Sequence, residues 1–388
     1  MILRICLAAL LGAGVLASAE PSTLRRLDGS AISIRDAEEL ARKTLDAEGV
    51  TGAQVAIIQD GRLYWKFAHG LRRKSPDLPM RTDTNTWAAS ITKSIFATYV
   101  VQLAERGELA LDVPVAKQLT APLQSFSPYK DSATTLVRDP QWQLVTPRHL
   151  LSHSSGFRNF ASLEPDKKMR LHFKPGSAFH YSGEGLNLLQ FLVEQKKGKT
   201  LDVLLDEAFF RPFGMTQTGL IYREEFAPNV ADRFGEKGEF LAKTQRFPAR
   251  GAGSMATSVE DLARFTEALL DEKIVPLARL LDPVLPIRTL HQFPRAANEP
   301  EGEEAKRVGL AYGLGWGLLT RTPHGPAFFK EGHGDGAQTY MICFAEKRSC
   351  MLLLTNSDNG ERAFRPLLEG ILGNTFTPWE WEGYLFAK

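Results

Sequence analysis

Apolar residues recur at helical spacing in two stretches of the chain. One covers residues 36–47 with Gly49 just beyond it, and the other covers residues 90–106 with Gly107 at its end. Glycine commonly ends a helix because it adopts left-handed backbone angles without strain. The second stretch is the stronger pattern, since four apolar positions fall on one face: Ile91, Ile95, Tyr99 and Leu103. Both stretches therefore predict helices.

Runs of β-forming residues lie towards both ends of the chain. Residues 54–59 and 63–68 flank Asp60-Gly61, a dipeptide typical of a two-residue hairpin turn. Three strand candidates and a closing helix follow near the C-terminus: 327–330, 339–345, 350–355 and 362–372. The intervening residues, about 113–270, have the pattern of helices joined by irregular loops. This order predicts an α/β (α+β) protein whose single sheet is built from distant segments, with a helical region inserted between them.

The first residues have the pattern of a secretory signal. Arg4 supplies a positive charge, residues 5–16 form a short apolar stretch, and Ala17-Ser18-Ala19 offers a cleavage site before Glu20. The apolar stretch is shorter than the roughly 20 residues of a membrane-spanning helix. We therefore expect residues 1–19 to be a cleaved signal peptide and the mature protein, residues 20–388, to be periplasmic or secreted, with no stable membrane span.

The charge balance limits the choice of partners. Among 388 residues, 47 are basic and 45 are acidic, and no long basic run occurs. Nucleic acid is therefore not expected as a partner.

Two cysteines remain once Cys6 leaves with the signal. Cys343 and Cys350 flank a short turn and should lie opposite each other on neighbouring strands. An exported protein permits a disulfide there. Of the two alternatives we favour two reduced, buried cysteines, because a disulfide requires a specific geometry.

Ser90 and Lys93 are the first candidates for chemistry. Three residues apart at the start of a helix, their side chains lie on one face. The helix N-terminus favours developing negative charge beside the serine. A free lysine has a pKa of about 10.4, and burial can lower this enough for the amine to accept the serine proton. A serine nucleophile with a lysine base is one reading of this pair, and a surface serine and lysine is the other.

Two glycine-containing loops carry further candidates. Tyr181 precedes a helix, where its hydroxyl could relay protons or simply pack in the core. His333, between Gly332 and Gly334, enters a strand where backbone N–H groups could donate to an oxyanion. No Gly-x-Ser-x-Gly elbow occurs, which argues against an α/β-hydrolase. His149 and His153 are four residues apart but lack an evident acidic third ligand, so neither a metal nor a cofactor is expected.

Taken in order, these sites resemble the β-lactamase and penicillin-binding-protein superfamily of serine hydrolases, closest to its class C and esterase-like branch. Ser90-Ile91-Thr92-Lys93 matches the first motif, and Tyr181-Ser182-Gly183 stands at the second, usually Tyr-x-Asn. His333-Gly334 falls where many esterase-like members have histidine in place of Lys-Thr-Gly. Four supporting segments are similar to family signatures: 148–156, 251–255, 261–265 and 312–316.

The resemblance covers nearly the whole mature chain and implies a fold and residue roles. The fold is a mainly antiparallel sheet flanked by helices, with an α/β part at about 33–112 and 266–388 and a helical part at about 113–265. Ser90 resembles the acylated nucleophile, Lys93 its base and Tyr181 the proton shuttle. His333 resembles the residue that positions the tyrosine or the substrate. The residues expected to contact substrate are Gly334, Gly336 and Gln338. The second oxyanion donor is expected among residues 336–338.

Two departures from the family pattern bear on substrate and mechanism. Gly183 stands where the family usually has an asparagine that contacts the substrate amide, which favours ester over lactam or peptide turnover. The third motif has two readings, Lys330-Glu331-Gly332 and His333-Gly334. We favour His333, because the strand resumes at Thr339.

We therefore expect a secreted serine hydrolase that cleaves an ester, amide or lactam in a small-molecule or peptide substrate, such as one derived from the cell wall. Two-step acyl transfer to water is the implied reaction. Esterase or D-amino-acid peptidase activity is placed ahead of true β-lactamase activity. The alternative is a penicillin-binding sensor or scaffold that acylates without efficient turnover, and a degenerate structural protein is a second rival.

Overall fold

The computed structural model describes residues 22–293 and 299–384. The expected signal peptide lies outside the described residues, so its cleavage stays a prediction. In the described ranges no helix has the length and apolar character needed to cross a membrane.

Nine strands form one antiparallel sheet at the centre of the molecule, and shorter strands pair beside it. The strands, in chain order, are β1 Thr23–Arg25, β2 Ala31–Ser33, β3 Gly52–Gln59, β4 Arg62–Lys74, β5 Asp77–Pro79, β6 Thr86–Trp87, β7 Asp232–Phe234, β8 Phe240–Lys243, β9 Ala256–Thr257, β10 Leu285–Pro286, β11 Leu310–Tyr312, β12 Gly317–Leu319, β13 Ala327–Gly334, β14 Ala337–Phe344 and β15 Ser349–Thr355. The large sheet has the order β10-β11-β12-β13-β14-β15-β3-β4-β5. Its middle therefore joins the last strand of the chain to one of the first.

The helices cover both faces of this sheet. They are α1 Ile34–Ala47, α2 Ile91–Glu105, α3 Val115–Gln118, α4 Pro147–Leu151, α5 Gly183–Lys197, α6 Leu201–Leu205, α7 Val259–Leu270, α8 Leu277–Leu281, α9 Glu303–Val308, α10 Phe364–Leu367 and α11 Trp379–Glu382. Shorter 3-10 and π turns lie at Leu123–Ser125, Ser127–Tyr129, Leu136–Arg138, Pro140–Leu144, Ala161–Leu163, Asp206–Phe210, Glu224–Asn229, Gly360–Ala363 and Leu368–Leu372. Strands β3, β14 and β15 are buried along their whole length, as expected where helices cover both faces.

Alternate residues of the central strands enter two separate cores. Ile58 and Leu352 pack with helix α2 and the helical region, whereas Ile57 and Leu353 pack with α1 and the C-terminal helices. Successive side chains of a strand point to opposite faces, which produces this division. Helix α2 lies inside the first core, with every residue from Ile91 to Leu103 buried. A helix buried on all sides is held rigidly, and so is the serine at its N-terminus.

The fold class predicted from the sequence is confirmed. Helix α1 and helix α2 occupy the two stretches with helical spacing, and β3, β4, β13, β14 and β15 occupy the predicted strand regions. The closing helix is a succession of 3-10, α and π turns over residues 360–372. The division into an α/β part and a helical part at residues 113 and 265 stays a prediction.

The cysteine pair differs from the favoured expectation of reduced thiols. Cys343 of β14 lies directly opposite Cys350 of β15, and the two are joined by a disulfide. Both are fully buried in the core that contains α2.

Candidate active site

Ser90 lies at the point where a short strand turns into helix α2. Strand β6 pairs with β9, and Ala88 N–H donates to Met255 O at 2.9 Å, which anchors the approach to the helix. Ala89 has a φ of 44°, a left-handed conformation that alanine rarely adopts. Strain of this kind persists only where the surroundings enforce it. The turn projects Ser90 at the helix N-terminus, and within the described residues no group accepts a hydrogen bond from its N–H.

Lys93 is buried one helical turn further on, with its amine directed back at the serine. Nζ lies 2.9 Å from Ser90 Oγ and also donates to Ala252 O. Burial holds the pKa of Lys93 well below its usual value, and the nearby charge of Lys330 lowers it further. A neutral amine at hydrogen-bond distance from a serine hydroxyl can accept its proton.

Tyr181 closes the other side of the lysine. Its ring centre is 5.1 Å from Lys93 Nζ, and it packs at 4.4 Å against the ring of His153. Burial raises the pKa of Tyr181, and the positive charge of Lys330 opposes this rise. The phenol is therefore protonated at neutral pH and can donate. His153 Nδ1 accepts the Ser182 N–H at 3.1 Å, so this histidine fixes the tyrosine loop. His149 also bonds backbone, accepting the Thr146 N–H at 3.3 Å. No cluster suited to a metal ion is found within residues 22–293 and 299–384.

Lys330 lies beside the tyrosine from the side of strand β13. It is fully buried, and its Nζ is 4.8 Å from the Tyr181 ring centre. Nζ donates to Glu331 Oε1 at 2.5 Å, and Gln292 Nε2 donates to the same oxygen at 2.7 Å. Burial acts to lower the pKa of Lys330, but Glu331 more than offsets this and raises it above the usual range. Lys330 is thus held in its charged form, whereas the surroundings of Lys93 favour the neutral amine.

Gly332 lets β13 lie directly against the serine. A Cβ atom added there would be 2.9 Å from Ser90 N and 2.8 Å from Ala88 O, so no larger residue fits. Strand β12 pairs with β13 only as far as Phe329. Beyond Phe329, the edge of β13 that faces away from β14 has no partner strand in the described structure. Backbone N–H groups on this edge are available beside the Ser90 N–H.

Of the predicted site residues that follow Lys330, only His333 lines the cavity in the described structure. The His333 ring borders the cavity, but Nδ1 contacts Gln338 Oε1 at 2.6 Å and Nε2 contacts Tyr384 Oη at 3.0 Å. Gly334 packs on the Trp87 ring, and the Gly336 N–H is already donated to Asp358. Of the predicted set, Ser90, Lys93, Tyr181 and His333 line one cavity, and Gly334, Gly336 and Gln338 are not among its described lining residues.

The cavity in front of Ser90 has a volume of about 270 Å³. Sequence reasoning did not single out several of its lining residues: Asn159, Phe160, Arg246 and Arg250. The two arginines precede residues 251–255, a segment that does resemble the family. Asn159 and Phe160 belong to an irregular loop, and only the fold brings that loop to the site.

The loop that contains Asn159 and Phe160 leaves no space for a side chain at Gly183. A Cβ atom at Gly183 would lie 2.4 Å from Phe160 Cε1 and 2.5 Å from Cζ. The Gly183 N–H donates to Asn159 Oδ1 at 2.8 Å. The Phe160 ring thus occupies the space of a side chain at position 183. Since Oδ1 of Asn159 is engaged, its Nδ2 is the part of the amide available to a ligand in the cavity.

The chain is similar to known proteins in both sequence and fold. The model of the beta-lactamase family matches residues 37–372. Esterase EstB of Burkholderia gladioli is 30% identical over 234 residues, which cover 52% of this chain and 57% of that protein. Penicillin-binding protein 4* of Bacillus subtilis (strain 168) is 22% identical over 368 residues, 85% of this chain and 74% of that protein. A class C beta-lactamase structure shares the fold, with a TM-score of 0.67, 17% identity and coverage of 88% of this chain and 97% of that one. The match to the esterase thus spans little more than half of that protein.

Proposed function

The chain belongs to the beta-lactamase family of serine hydrolases, and on that premise we propose that it hydrolyses carboxylic esters through an acyl-enzyme formed on Ser90. One observation carries the proposal. The buried Lys93 amine, whose pKa is strongly lowered, lies 2.9 Å from Ser90 Oγ, with the protonated Tyr181 on its other side.

In the acylation step, Ser90 Oγ attacks the carbonyl carbon of the ester while its proton passes to Lys93 Nζ. The carbonyl oxygen becomes an oxyanion. It is stabilised by the Ser90 N–H and by an N–H group of the free β13 edge near His333. The position of Gly332 supports this, since β13 lies so close to the serine that a Cβ atom added there would be 2.9 Å from Ser90 N.

Collapse of the tetrahedral intermediate needs a proton for the leaving oxygen. Tyr181 donates it and recovers a proton from the Lys93 ammonium, so that the amine is neutral again. Water then attacks the acyl-enzyme, loses its proton to the same lysine and tyrosine pair, and releases the acid and free Ser90. The charge of Lys330 stabilises the transient tyrosinate, because it lies 4.8 Å from the ring centre.

We therefore assign the role of the third-motif cation to Lys330 rather than His333. Lys330 is the residue that faces Tyr181, whereas both ring nitrogens of His333 face Gln338 and Tyr384. In this assignment Lys330-Glu331-Gly332 is the third element, and His333 acts at the cavity border.

Esters are proposed ahead of lactams and D-amino-acid peptides because of position 183. A peptide or lactam substrate presents an amide beside its scissile bond, and the family's asparagine contacts that amide. Here Phe160 fills that space, and Asn159 offers a single amide from another direction. The similarity to esterase EstB supports the same order. Export to the periplasm or medium is a further part of the proposal, and the Cys343–Cys350 disulfide is consistent with an oxidising compartment.

A panel of p-nitrophenyl esters, D-Ala-D-Ala peptides and a chromogenic cephalosporin on purified protein tests the proposal. We expect steady ester turnover that Ser90→Ala abolishes, whereas Ser177→Ala, which changes an exposed serine, leaves it unaltered. A fluorophosphonate probe should label Ser90 on peptide mapping. Label elsewhere, or substantial turnover by Ser90→Ala, refutes the mechanism. A stoichiometric burst without turnover favours the sensor alternative instead.

A further inference from the structure

Two arginines project from one loop onto the cavity wall. Arg246 and Arg250 precede Ala252, the residue whose carbonyl oxygen accepts from Lys93. Gln190 holds this loop from behind, donating to Ala249 O at 3.1 Å and accepting the Gly251 N–H at 2.8 Å. The Arg250 N–H donates to Ser254 Oγ at 2.8 Å. The loop backbone is therefore fixed relative to the nucleophile.

These cations have no carboxylate to neutralise them. Within the described chain, neither Arg246 nor Arg250 forms an ion pair within 4.0 Å, although arginines elsewhere do, such as Arg148 with Asp112 at 2.6 Å. Burial lowers the pKa of Arg246 to about 10, and the neighbouring Arg233 and Arg250 contribute, with Asp335 opposing. The guanidinium is still charged at neutral pH. Burial raises the pKa of Glu184, and the charge of Arg250 acts to lower it. The two side chains do not form an ion pair within 4.0 Å in the described structure.

The Arg246 guanidinium also has a defined orientation. Its Cζ lies 3.8 Å from the centre of the Trp87 ring, which fixes the plane of the group. Trp87 is itself held by a 2.7 Å hydrogen bond from Nε1 to Gly253 O. The Nε atom of Arg246 is buried and has no hydrogen-bond partner among the described residues. A buried donor left unpaired costs free energy, and a bound anion would satisfy it.

We propose that Arg246 and Arg250 bind a carboxylate on the acyl portion of the substrate, so that half-esters of dicarboxylic acids are preferred. This inference rests on the proposed function, in which Tyr181 protonates the leaving group. Lys93 Nζ contacts the Tyr181 ring, whose centre is 5.1 Å away, and also Ala252 O, which follows the two arginines in the chain. We place the leaving group beside Tyr181 and the rest of the substrate, the acyl chain, beside the arginine loop. A planar guanidinium binds a carboxylate through paired N–H donors, which makes arginine suited to this task.

The test compares the mono-p-nitrophenyl ester of glutaric acid with its methyl-capped, neutral counterpart. We expect the ratio of kcat/KM, anionic over neutral, to be about 10 to 100 for the wild type. Arg246→Gln and Arg250→Gln should each reduce the ratio several-fold, and the double variant should bring it close to one. Arg35→Gln is the charge-matched control, because this side chain on α1 is 90% exposed, and it should keep the wild-type ratio. Higher salt should lower the ratio in the wild type and in Arg35→Gln but not in the double variant.

Two further measurements separate the possible failures. A valerate ester whose leaving phenol carries a carboxylate should show no comparable preference over its methyl-capped counterpart, and an equal preference there would overturn the assignment to the acyl side. Free glutarate should inhibit neutral-ester hydrolysis competitively in the wild type and much less in the double variant, whose folding is checked by the rate of Ser90 labelling. If Ser90 hydrolyses neutral and anionic esters with equal kcat/KM, the arginine inference fails and the proposed function stands. If no ester is hydrolysed, the proposed function fails first.

Discussion

Replacing Gly183 by alanine should destabilise the protein, although helix propensity alone predicts the opposite. Gly183 is the first residue of α5, and alanine is preferred over glycine within helices by up to about 1 kcal/mol. The added Cβ, however, would lie 2.4 Å from Phe160 Cε1, whereas carbon atoms in contact are about 3.5–4.0 Å apart. The Phe160 ring must therefore move by about 1 Å or more. Overpacking of this kind costs about 1–3 kcal/mol, so after the gain of about 1 kcal/mol in helix propensity the net loss should be up to about 2 kcal/mol.

Gly185→Ala in the same helix is the matched control. Its Cβ would lie 3.3 Å from Leu150 Cδ2, only a few tenths of an ångström inside the usual contact distance, so Gly185→Ala should be less destabilising than Gly183→Ala. Urea unfolding followed by tryptophan fluorescence measures both variants. The double variant Gly183→Ala/Phe160→Ala should show a coupling energy of about 1–3 kcal/mol, since removing the ring removes the clash. Equal stabilisation by Gly183→Ala and Gly185→Ala would refute the explanation for glycine at position 183.

Other predictions concern the catalytic groups. Tyr181→Phe keeps the ring on His153 but removes the hydroxyl, so kcat on p-nitrophenyl esters should fall by about two to four decades, and a loss below about threefold would contradict the proton-relay role. The kcat/KM of the wild type should rise with pH through the lowered pKa of Lys93 and then level off, because only the neutral amine accepts the serine proton. Lys93→Arg should be inactive across that pH range. A wild-type kcat/KM that falls with pH in that range would exclude Lys93 as the base. The double variant Lys330→Met/Glu331→Gln removes both buried charges, and its kcat/KM should fall at least about a hundredfold. The kcat/KM of His333→Gln should fall less than about tenfold. The reverse order would return the third-motif role to His333.

Local patterns predicted the parts of the fold that local chemistry determines. Asp60 and Gly61 both have positive φ, 51° and 78°, as the tight hairpin between β3 and β4 requires. Helix α2 was predicted because its apolar spacing extends over four turns. The pairing of β6 with β9 could not be predicted, since each strand has two residues and Thr86 meets Thr257 only through the tertiary fold.

The residues that line the candidate site were predictable up to the third motif, where the sequence left the end of a strand undefined among several glycines. The sequence suggested that a strand ends at Lys330, because glycines usually weaken strands. Strand β13 instead continues to Gly334, and glycine is required there because Gly332 lies against Ser90 and Gly334 against Trp87. This continuation places Lys330 at Tyr181. Contacts such as Phe160 with Gly183 and Arg246 with Trp87 depend on irregular loops, for which no periodic pattern exists.

The pairing of β15 with β3 has a consequence for how the protein matures. Cys350 lies opposite Ile58 in this pair, so the centre of the sheet cannot close until nearly the whole polypeptide has been synthesised. Until then β3 has an unpaired edge, and Ser90 lacks β13 beside it. Sheets with such distant pairings fold slowly, because the chain loses the entropy of loop closure before the stabilising contacts form. A nascent chain therefore cannot assemble the surroundings of Ser90 until its synthesis is nearly complete.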